Sequence, residues 1–579
     1  MEVLMMRIER MVASEWAFFA SQIARSKQLL PFFETHSSAR AIFKRNVKKN
    51  SGTAYVVYSG KAPVLFLVIE TGQVTNLLSL ETAKIRWSSV FLMIDQLAKQ
   101  TFQPTITFIL PRSLTLHLQE VFLAQGYKQT EPNVFIKTLE YHTGLVLGGG
   151  GARGAYQIGV WQALKELDIP IVLITGTSVG ALNGALILQG EFEAAKTMWE
   201  EIETRKILAF PAGKTSSDTF GGMLSQVSAF TLNAIQSKGV STKPLQALIH
   251  DTFSTEKMQQ TTIDFYLVTT ELPNMQERVI HFNECQMSQW QSWLLASASF
   301  FPAMAAAKIA DRYYVDGGYR NNIPVDVAIQ HGATECIIVD VKGPGITKPV
   351  KVPNDIPCMT LQTPWSMGAV LLFDGARSVQ NIQLGYLETM KMIGQKYCGY
   401  WYTFDETVDS LTEFQRAFFA FMKETYQLTV WTSAEQQNKI CRKMRKVYKD
   451  RVFTENIGLV LIELLAKSQT ISAAKLYTIQ EMIELLKNTG EMKADFVESI
   501  GMISIQEWLK KYYDDYFLLS DKQQLAGMIS LLESNVQEKA QWLTFLLDKL
   551  PVQTLQLLMI EFIQTRSDKE WHKSSHMKS

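Results

Sequence analysis

No run of apolar residues in this chain approaches the roughly 20 needed to cross a bilayer as a helix. The first ten residues, Met1-Glu-Val-Leu-Met-Met-Arg-Ile-Glu-Arg10, lack the charged-then-apolar layout of a secretory signal. Cysteine is scarce: Cys285, Cys336, Cys358, Cys398 and Cys441 make five in 579 residues. They are scattered, odd in number and nowhere spaced Cys-x-x-Cys, which argues against a disulfide framework or a zinc site and for a reducing compartment. An excess of either charge is also missing, since 57 Lys and Arg stand against 56 Asp and Glu for a net charge of +1. Nothing global therefore pulls the chain towards nucleic acid, and any basic partner surface must be local. No fixed-period repeat and no low-complexity tract is found. The expectation is a cytoplasmic protein, at most peripheral on the inner face of a membrane.

A chain of 579 residues exceeds one ordinary core, so two to four domains are expected. Residues 1–140 read as a small α/β domain. A helix is expected from Glu15 to Phe33, strands at Thr53–Tyr58 and Val64–Glu70, a helix at Lys84–Lys99, a strand at Thr105–Leu110, a helix at Leu114–Ala124 and a strand at Asn133–Lys137. Residues 144–345 alternate strands and helices, as a mostly parallel sheet covered on both sides requires. Residues 346–405 read as an extension packed on that sheet, with strands at Met359–Gln362 and Cys398–Phe404. From 406 to 579 the pattern is helical almost throughout, with a polar, frayed end from Arg566.

Two stretches carry the chemistry. Leu145-Val-Leu-Gly-Gly-Gly-Gly-Ala-Arg-Gly154 is a short apolar strand running into a glycine loop, followed by a helical segment in which Ile158, Trp161, Leu164 and Leu167 share a face. Ile171-Val-Leu-Ile-Thr-Gly-Thr-Ser-Val-Gly180 is another apolar strand ending in Gly-x-Ser-x-Gly. That turn, with Gly176 and Gly180 on either side, holds a serine on a tight strand-to-helix bend with its hydroxyl at the end of the sheet. Ser178 thus reads as a nucleophile. Acyl transfer also needs donors for an oxyanion. Gly149, Gly150, Gly151, Ala152, Arg153 and Gly154 can turn their N–H groups to one point, at the positive end of the following helix. A dinucleotide site would instead require an acid at the end of the second strand for a ribose; here Ile174-Thr-Gly-Thr-Ser178 stands there.

The remaining need is a proton acceptor. Downstream of Ser178 the histidines are His250, His281, His331, His572 and His576. His331 stands just before a strand, at the opposite end of the sheet from Ser178, and the others have no motif around them. Asp316, in Tyr314-Val-Asp-Gly-Gly-Tyr-Arg-Asn-Asn-Ile-Pro324, follows directly on a strand, and Gly317 and Gly318 let the chain turn away. Taken singly the motif fits a plain turn as well as a base. An ordinary Asp, with a pKa of about 3.9, is a poor base unless burial raises it.

The three motifs, in this order and context, resemble the patatin-like phospholipases. The resemblance extends through Leu295-Ala-Ser-Ala-Ser-Phe-Phe-Pro302 and Asn321-Asn-Ile-Pro-Val325 and covers roughly residues 144–345. It implies a three-layer α/β/α sandwich with a mostly parallel sheet, and a Ser178–Asp316 dyad with the 149–154 loop as oxyanion hole. It also implies hydrolysis of lipid acyl esters at a membrane surface without metal, histidine or other cofactor. Two positions depart from the family: Gly148, where many relatives carry Asp, and Phe301-Pro302-Ala303, where many carry Pro-Gly, a change that bears on the acyl pocket. Alternative outcomes are transfer of the acyl group to an acceptor other than water, and a membrane-docked effector with latent esterase activity.

The flanks are less specific. The order of elements in 1–140 resembles, in topology only, the last half of a GNAT-type N-acetyltransferase. It lacks the Arg/Gln-x-x-Gly-x-Gly pyrophosphate loop, so the segment reads as a docking or regulatory domain, open to a protein partner. Arg40, Lys44, Arg45, Lys48 and Lys49 form a basic cluster that reads as a solvated helix face in preference to a contact with an anionic membrane surface. In Lys439–Arg451, Ile440, Met444 and Val447 share a face under a basic surface, read as a docked helix in preference to a membrane-surface one. The stretch 210–239, rich in Gly, Ser and Thr, reads as a surface loop or a cover over an apolar pocket.

Overall fold

A computed structural model describes residues 6–565 except 12–14, 31–34, 48–52, 81–84, 111–118, 208–240, 302, 354, 429–433, 449–451, 453–455, 489–502 and 517. The cover expected at 210–239, Lys48 and Lys49, the expected frayed end, His572 and His576 lie outside the described residues. The chain divides into two compact units. One comprises Met1–Glu9, Ser26–Phe33 and Tyr55–Gln395; the other Arg10–Arg25, Glu34–Ala54 and Lys396–Ser579. These units cut across the segments expected from sequence, because the N-terminal 140 residues contribute to both.

The first unit holds two eight-stranded sheets. The N-terminal sheet is built from β1 (Met6–Arg10), β2 (Lys27–Leu30), β3 (Ala54–Ser59), β4 (Ala62–Glu70), β5 (Gln73–Ser79), β6 (Thr105–Ile109), β7 (Lys128–Glu131) and β8 (Val134–Thr138), in the order β1-β3-β4-β5-β6-β8-β7. In its core Phe91, Phe108 and Tyr127 meet Phe122 edge to face, and Phe135 packs against Phe122 at a tilt. β6 runs parallel to β5 only over Gln73 and Val74. Beyond that point β2 pairs antiparallel with Leu77–Ser79. The single helix expected over Glu15–Phe33 is therefore α1 (Trp16–Ile23) followed by a strand. The reason is tertiary: an unpaired β5 edge would leave backbone groups without partners, and Lys27–Leu30 supplies them.

The second sheet comprises β9 (Thr143–Leu147), β10 (Leu173–Thr177), β11 (Asp264–Leu272), β12 (Gln276–His281), β13 (Ala307–Ile309), β14 (Arg312–Asp316), β15 (Glu335–Val339) and β16 (Cys358–Leu361). Its order is β13-β14-β11-β10-β9-β15-β16 with β12 also on β11. β11, β10, β9, β15 and β16 are mutually parallel. Every residue of β9, β10 and β15 is buried, which is why these strands are apolar runs without alternation. Helices cover both faces, giving the three-layer sandwich expected.

Helix α2 (His36–Val47) buries Ala39, Phe43 and Val47 and exposes Lys44 and Arg45, a solvated basic face. Helix α3 (Trp87–Lys99) ties the first sheet to the second. Lys99 Nζ donates to Glu335 Oε2 at 2.9 Å, and the Thr143 hydroxyl donates to Glu335 Oε1 at 3.0 Å, so a fully buried carboxylate is paired and hydrogen-bonded. A buried charge so satisfied is tolerated.

Helix α4 (Ala155–Glu166) packs on α5 (Val179–Gln189) and on a later 18-residue helix, Gly375–Met392. The latter contact is backbone against backbone. A Cβ at Gly159 would stand 1.8 Å from Ile382 O, and one at Gly385 2.1 Å from Tyr156 O.

After this helix the chain joins the second unit. The strand expected over Cys398–Phe404 is instead a tight reversal: Cys398 and Phe404 exchange backbone hydrogen bonds of 3.0 Å around Gly399, whose φ is +102°. Only Thr403–Phe404 is strand, paired with Leu476–Tyr477, so this stretch does not extend the second sheet. The second unit is helical. Ile457–Ser468 is buried from Ile457 to Ala466, and a Trp508–Trp542 pair and the Phe414–Phe418–Phe562 group pack its core. The basic helix Ala434–Tyr448 is docked: Ile440, Cys441, Met444 and Tyr448 are buried. The Val447 side chain lies outside the described residues. Lys443 donates to the carbonyls of Asp548 and Lys549, at the carboxyl end of helix Lys539–Lys549, where a cation complements the helix dipole. No described helix is long and apolar enough to cross a membrane.

The close crossing of α4 makes a prediction. Gly159→Ala should force the two backbones apart and destabilise the first unit by about 1–3 kcal/mol, read as a lower urea midpoint of its unfolding transition. An unchanged midpoint would mean the crossing has slack.

Candidate active site

The register of β11 explains why two motifs 138 residues apart meet. Tyr266–Val268 are flanked by β12 on one side and β10 on the other. Thr269–Glu271 are flanked by β12 and β14. β10 and β14 therefore lie one after the other along the same edge of β11, and they run towards each other. Thr177 is opposite Val268 and Asp316 opposite Thr269. The residue that ends β14 and the one that follows β10 are brought to a common point.

Ser178 sits there with φ 56° and ψ −125°, a conformation costly for a residue with a side chain and held only by its surroundings. The flanking glycines are required by space. A Cβ at Gly180 would lie 2.0 Å from Leu147 O. Hydroxyls stitch the site together: Thr177 donates to Asn321 O at 2.8 Å, Thr175 to Pro324 O at 3.0 Å, and Thr270 to Asp316 O at 3.0 Å.

Asp316 is buried, and one carboxylate oxygen accepts the Gly318 N–H at 2.7 Å. Burial pushes the Asp316 carboxyl up to about 6, against the lowering influence of the Ser178 hydroxyl and the Gly318 amide. It is thus a stronger base than a solvated aspartate yet still ionised at neutral pH.

The glycine loop resolves into distinct roles. The amides of Gly149, Ala152 and Arg153 are spent on the carbonyls of Asn322, Val370 and Gly150. Gly154 closes the short 3-10 turn that starts at Gly151. Gly150 and Gly151 line the cleft beside Ser178, and their amides donate to no acceptor among the described residues. At Gly151 φ is +55°, and a Cβ would lie 2.2 Å from Val370 O. The Arg153 side chain serves as a clamp: its guanidinium donates to Gly368 O at 2.9 Å and to Lys342 O.

Sequence reasoning missed the polar chain behind this loop. Gln157 donates to Gly148 O at 2.7 Å, Asn183 donates to Gly154 O at 2.9 Å and to Gln157 Oε1 at 2.7 Å, and the Trp199 indole donates to Asn183 Oδ1 at 3.0 Å. These bonds draw the loop's carbonyls inward. The available signal was a Gln and an Asn on otherwise apolar helix faces. Asn322 was also missed, and its amide donates to Gly149 O at 3.3 Å.

The cleft holds about 860 Å³, counted to its open mouth, and reaches between α5 and the helix Lys243–Thr252. Leu182, Leu186, Leu245, Ile249, Phe253 and Met304 are among its apolar walls, and Asp316 is the one ionisable lining residue among those described. No histidine is among the described lining residues. His250 is exposed beside Asp251, while His281 and His331 stack on Tyr266 at 4.3 and 3.8 Å. Among the described residues no group of His, Cys, Asp or Glu could hold a metal ion.

The arrangement is that of an α/β/α sandwich with a serine and an aspartate at the carboxyl end of its parallel strands. The comparisons specify it further. Residues 145–329 match the family model for patatin-like phospholipase, and this part of the chain is a patatin-like phospholipase domain. Patatin-like phospholipase domain-containing protein 6 of Mus musculus is 28% identical over 241 residues, 40% of this chain and 16% of that one. Neuropathy target esterase sws of Drosophila melanogaster is 32% identical over 207 residues, 34% of this chain and 13% of that one. The match thus spans under a fifth of those relatives' length. Among solved structures, VipD from Legionella pneumophila aligns over 76% of this chain and 95% of its own at 13% identity, with a TM-score of 0.30.

The buried carboxylate has a measurable consequence. Folded Asp316 takes up its proton at about 6, whereas in an unfolded chain it would do so near 3.9. The folded state holds the proton more tightly, so the stability linked to this group is fully present below about pH 4 and is lost as pH rises through about 6. Asp316→Asn cannot ionise and should be more stable than wild type at about pH 8, on the order of 3 kcal/mol, with the advantage shrinking towards pH 4. Urea titrations at the two pH values check this, and a pH-independent difference would contradict it.

Proposed function

We propose that the chain is a serine acyl hydrolase that cleaves acyl esters of membrane lipids through a Ser178–Asp316 dyad. The observation that carries this reading is the strained serine beside a buried, raised-pKa carboxylate, with two unpartnered amides facing the same cleft. The family match at residues 145–329 and the esterase among the similar proteins support the same class of reaction.

In this reading the acyl chain lies along the apolar cleft and places its ester carbonyl over Ser178. Oγ attacks the carbonyl carbon while its proton passes to Asp316. The negative oxygen of the tetrahedral intermediate is held by the N–H groups of Gly150 and Gly151, backbone dipoles already oriented before reaction. Collapse breaks the ester C–O bond, and Asp316 returns the proton to the departing alcohol. Water, deprotonated by Asp316, then attacks the acyl-serine, and the fatty acid leaves as Ser178 regains its proton.

No cationic side chain lines the described cleft, so recognition within it falls on the acyl chain and the head group is read outside. The surface of a membrane is the natural source of such an ester, and the 144–345 segment is the part of the chain that would work there.

Ser178→Ala and Asp316→Asn should each lower hydrolysis of a lipid-ester panel by about 10³-fold or more, with circular dichroism unchanged. Wild-type kcat/KM should rise as pH climbs through about 6, following ionisation of Asp316. Full activity in either purified variant would remove the dyad from the mechanism.

A further inference from the structure

We propose that Ser297 is a positioning residue that holds the nucleophile in its reactive conformation, an inference that rests on the hydrolase reading above. Ser297 lies in helix Trp290–Ala298, is fully buried, and stands in the sequence outside both the Ser178 motif and the aspartate turn. Its hydroxyl accepts the backbone N–H of Ser178 at 3.0 Å and donates to Val268 O at 2.7 Å. Both of its hydrogen-bonding directions are therefore committed.

The two partners are the points on which the site turns. Val268 is the β11 residue opposite Thr177, at the seam where β10 and β14 both end. Its carbonyl also lies 2.2 Å from where a Cβ of Gly317 would stand, so the aspartate turn closes over the same group. The Ser178 amide belongs to the residue at φ 56°. The β10 ladder ends at Thr177, so strand pairing supplies no acceptor for this N–H. Without an acceptor that donor would be buried and unpaired, at a cost comparable to the strain itself. Ser297 supplies the acceptor and so makes the strained conformer the stable one.

A second consequence follows for the oxyanion. Because the Ser178 amide is bonded to Ser297, it is not available to the developing negative charge. Gly150 and Gly151, which line the cleft and whose amides have no acceptor among the described residues, are placed to take the task. Deleting the Ser297 hydroxyl frees the 177–178 peptide to rotate, which moves Oγ relative to Asp316 and to the glycine donors. A displacement of about 1 Å at a reacting atom can cost on the order of 10²-fold in rate.

The test is Ser297→Ala in the full chain, read with an alkyl fluorophosphonate as well as with lipid ester. In the probe reaction the Ser178 Oγ–P bond forms as the P–F bond breaks, fluoride leaves, and the serine proton passes to Asp316. The expected result is a fall of about tenfold or more in kcat and in the maximal rate of phosphonylation. KM, the half-saturating probe concentration and the thermal midpoint should stay within about twofold or a few degrees of wild type, because the acyl cleft is untouched. A kcat and phosphonylation rate equal to wild type would overturn the proposal. So would parallel losses of rate, saturation and thermal midpoint, which would mark Ser297 as packing alone. Wild-type protein that neither hydrolyses ester nor is phosphonylated at Ser178 would sink the hydrolase reading itself, whereas a reactive wild type with an equally reactive variant would sink only the role of Ser297.

Discussion

Two strands that meet end to end on one edge of a third are the constraint from which the site follows. β11 is longer than β10, and its outer half would be an open edge if β14 did not run back along it. Filling that edge satisfies backbone hydrogen bonds, the same requirement that brings β2 onto the exposed part of β5 in the other sheet. In the sheet that holds Ser178, it also points the last residue of β14 at the first residue after β10. The meeting of Ser178 and Asp316 is a by-product of sheet completion, and it requires no contact between the two motifs earlier in the chain.

The site is expensive, and the surroundings are arranged to offset that expense. A serine at positive φ and a carboxylate taken out of water are each unfavourable. The hydroxyls of Thr175, Thr177, Thr270 and Ser297 all bond to backbone groups of the facing segments, and Gln157, Asn183 and Trp199 brace the glycine loop from behind. Each is buried and satisfied, as buried polar groups must be. The glycines complete the arrangement by letting backbones approach where any side chain would collide. The apolar cleft can then lie directly against the reacting groups without a charged residue to compete for the carbonyl.

Much of this was legible in residue order. The strand–glycine loop–helix and strand–Ser178–helix patterns are local, because a nucleophile elbow needs glycines at fixed offsets whatever surrounds it. Asp316 was legible as a strand-end acid, and as a partner of Ser178 only through the family resemblance, since the register of β11 depends on residues far from both. The loop from Gly149 to Gly154 read as six equivalent donors, whereas the carbonyls of Asn322, Val370 and Gly150 take up the amides of Gly149, Ala152 and Arg153. Errors clustered where tertiary pairing overrides local pattern. Lys27–Leu30 followed a helical stretch and became strand. Cys398–Phe404, rich in aromatics, read as a strand, but Gly399 in a left-handed conformation turns it back on itself.

Taken alone, the order of residues determined the buried parallel strands, the bend at Ser178, the turn after Asp316 and the docked amphipathic helix at Ala434–Tyr448, because each depends on spacing within a few turns of chain. The tertiary structure decided that Asp316 faces Ser178, that the Gly150 and Gly151 amides have no acceptor among the described residues, and that the Ser297 hydroxyl bonds the Ser178 amide. Those are matters of long-range register and of competition for hydrogen-bond partners. A hydrogen-bonding group finds its partner only when distant segments have been placed, and no local pattern carries that information.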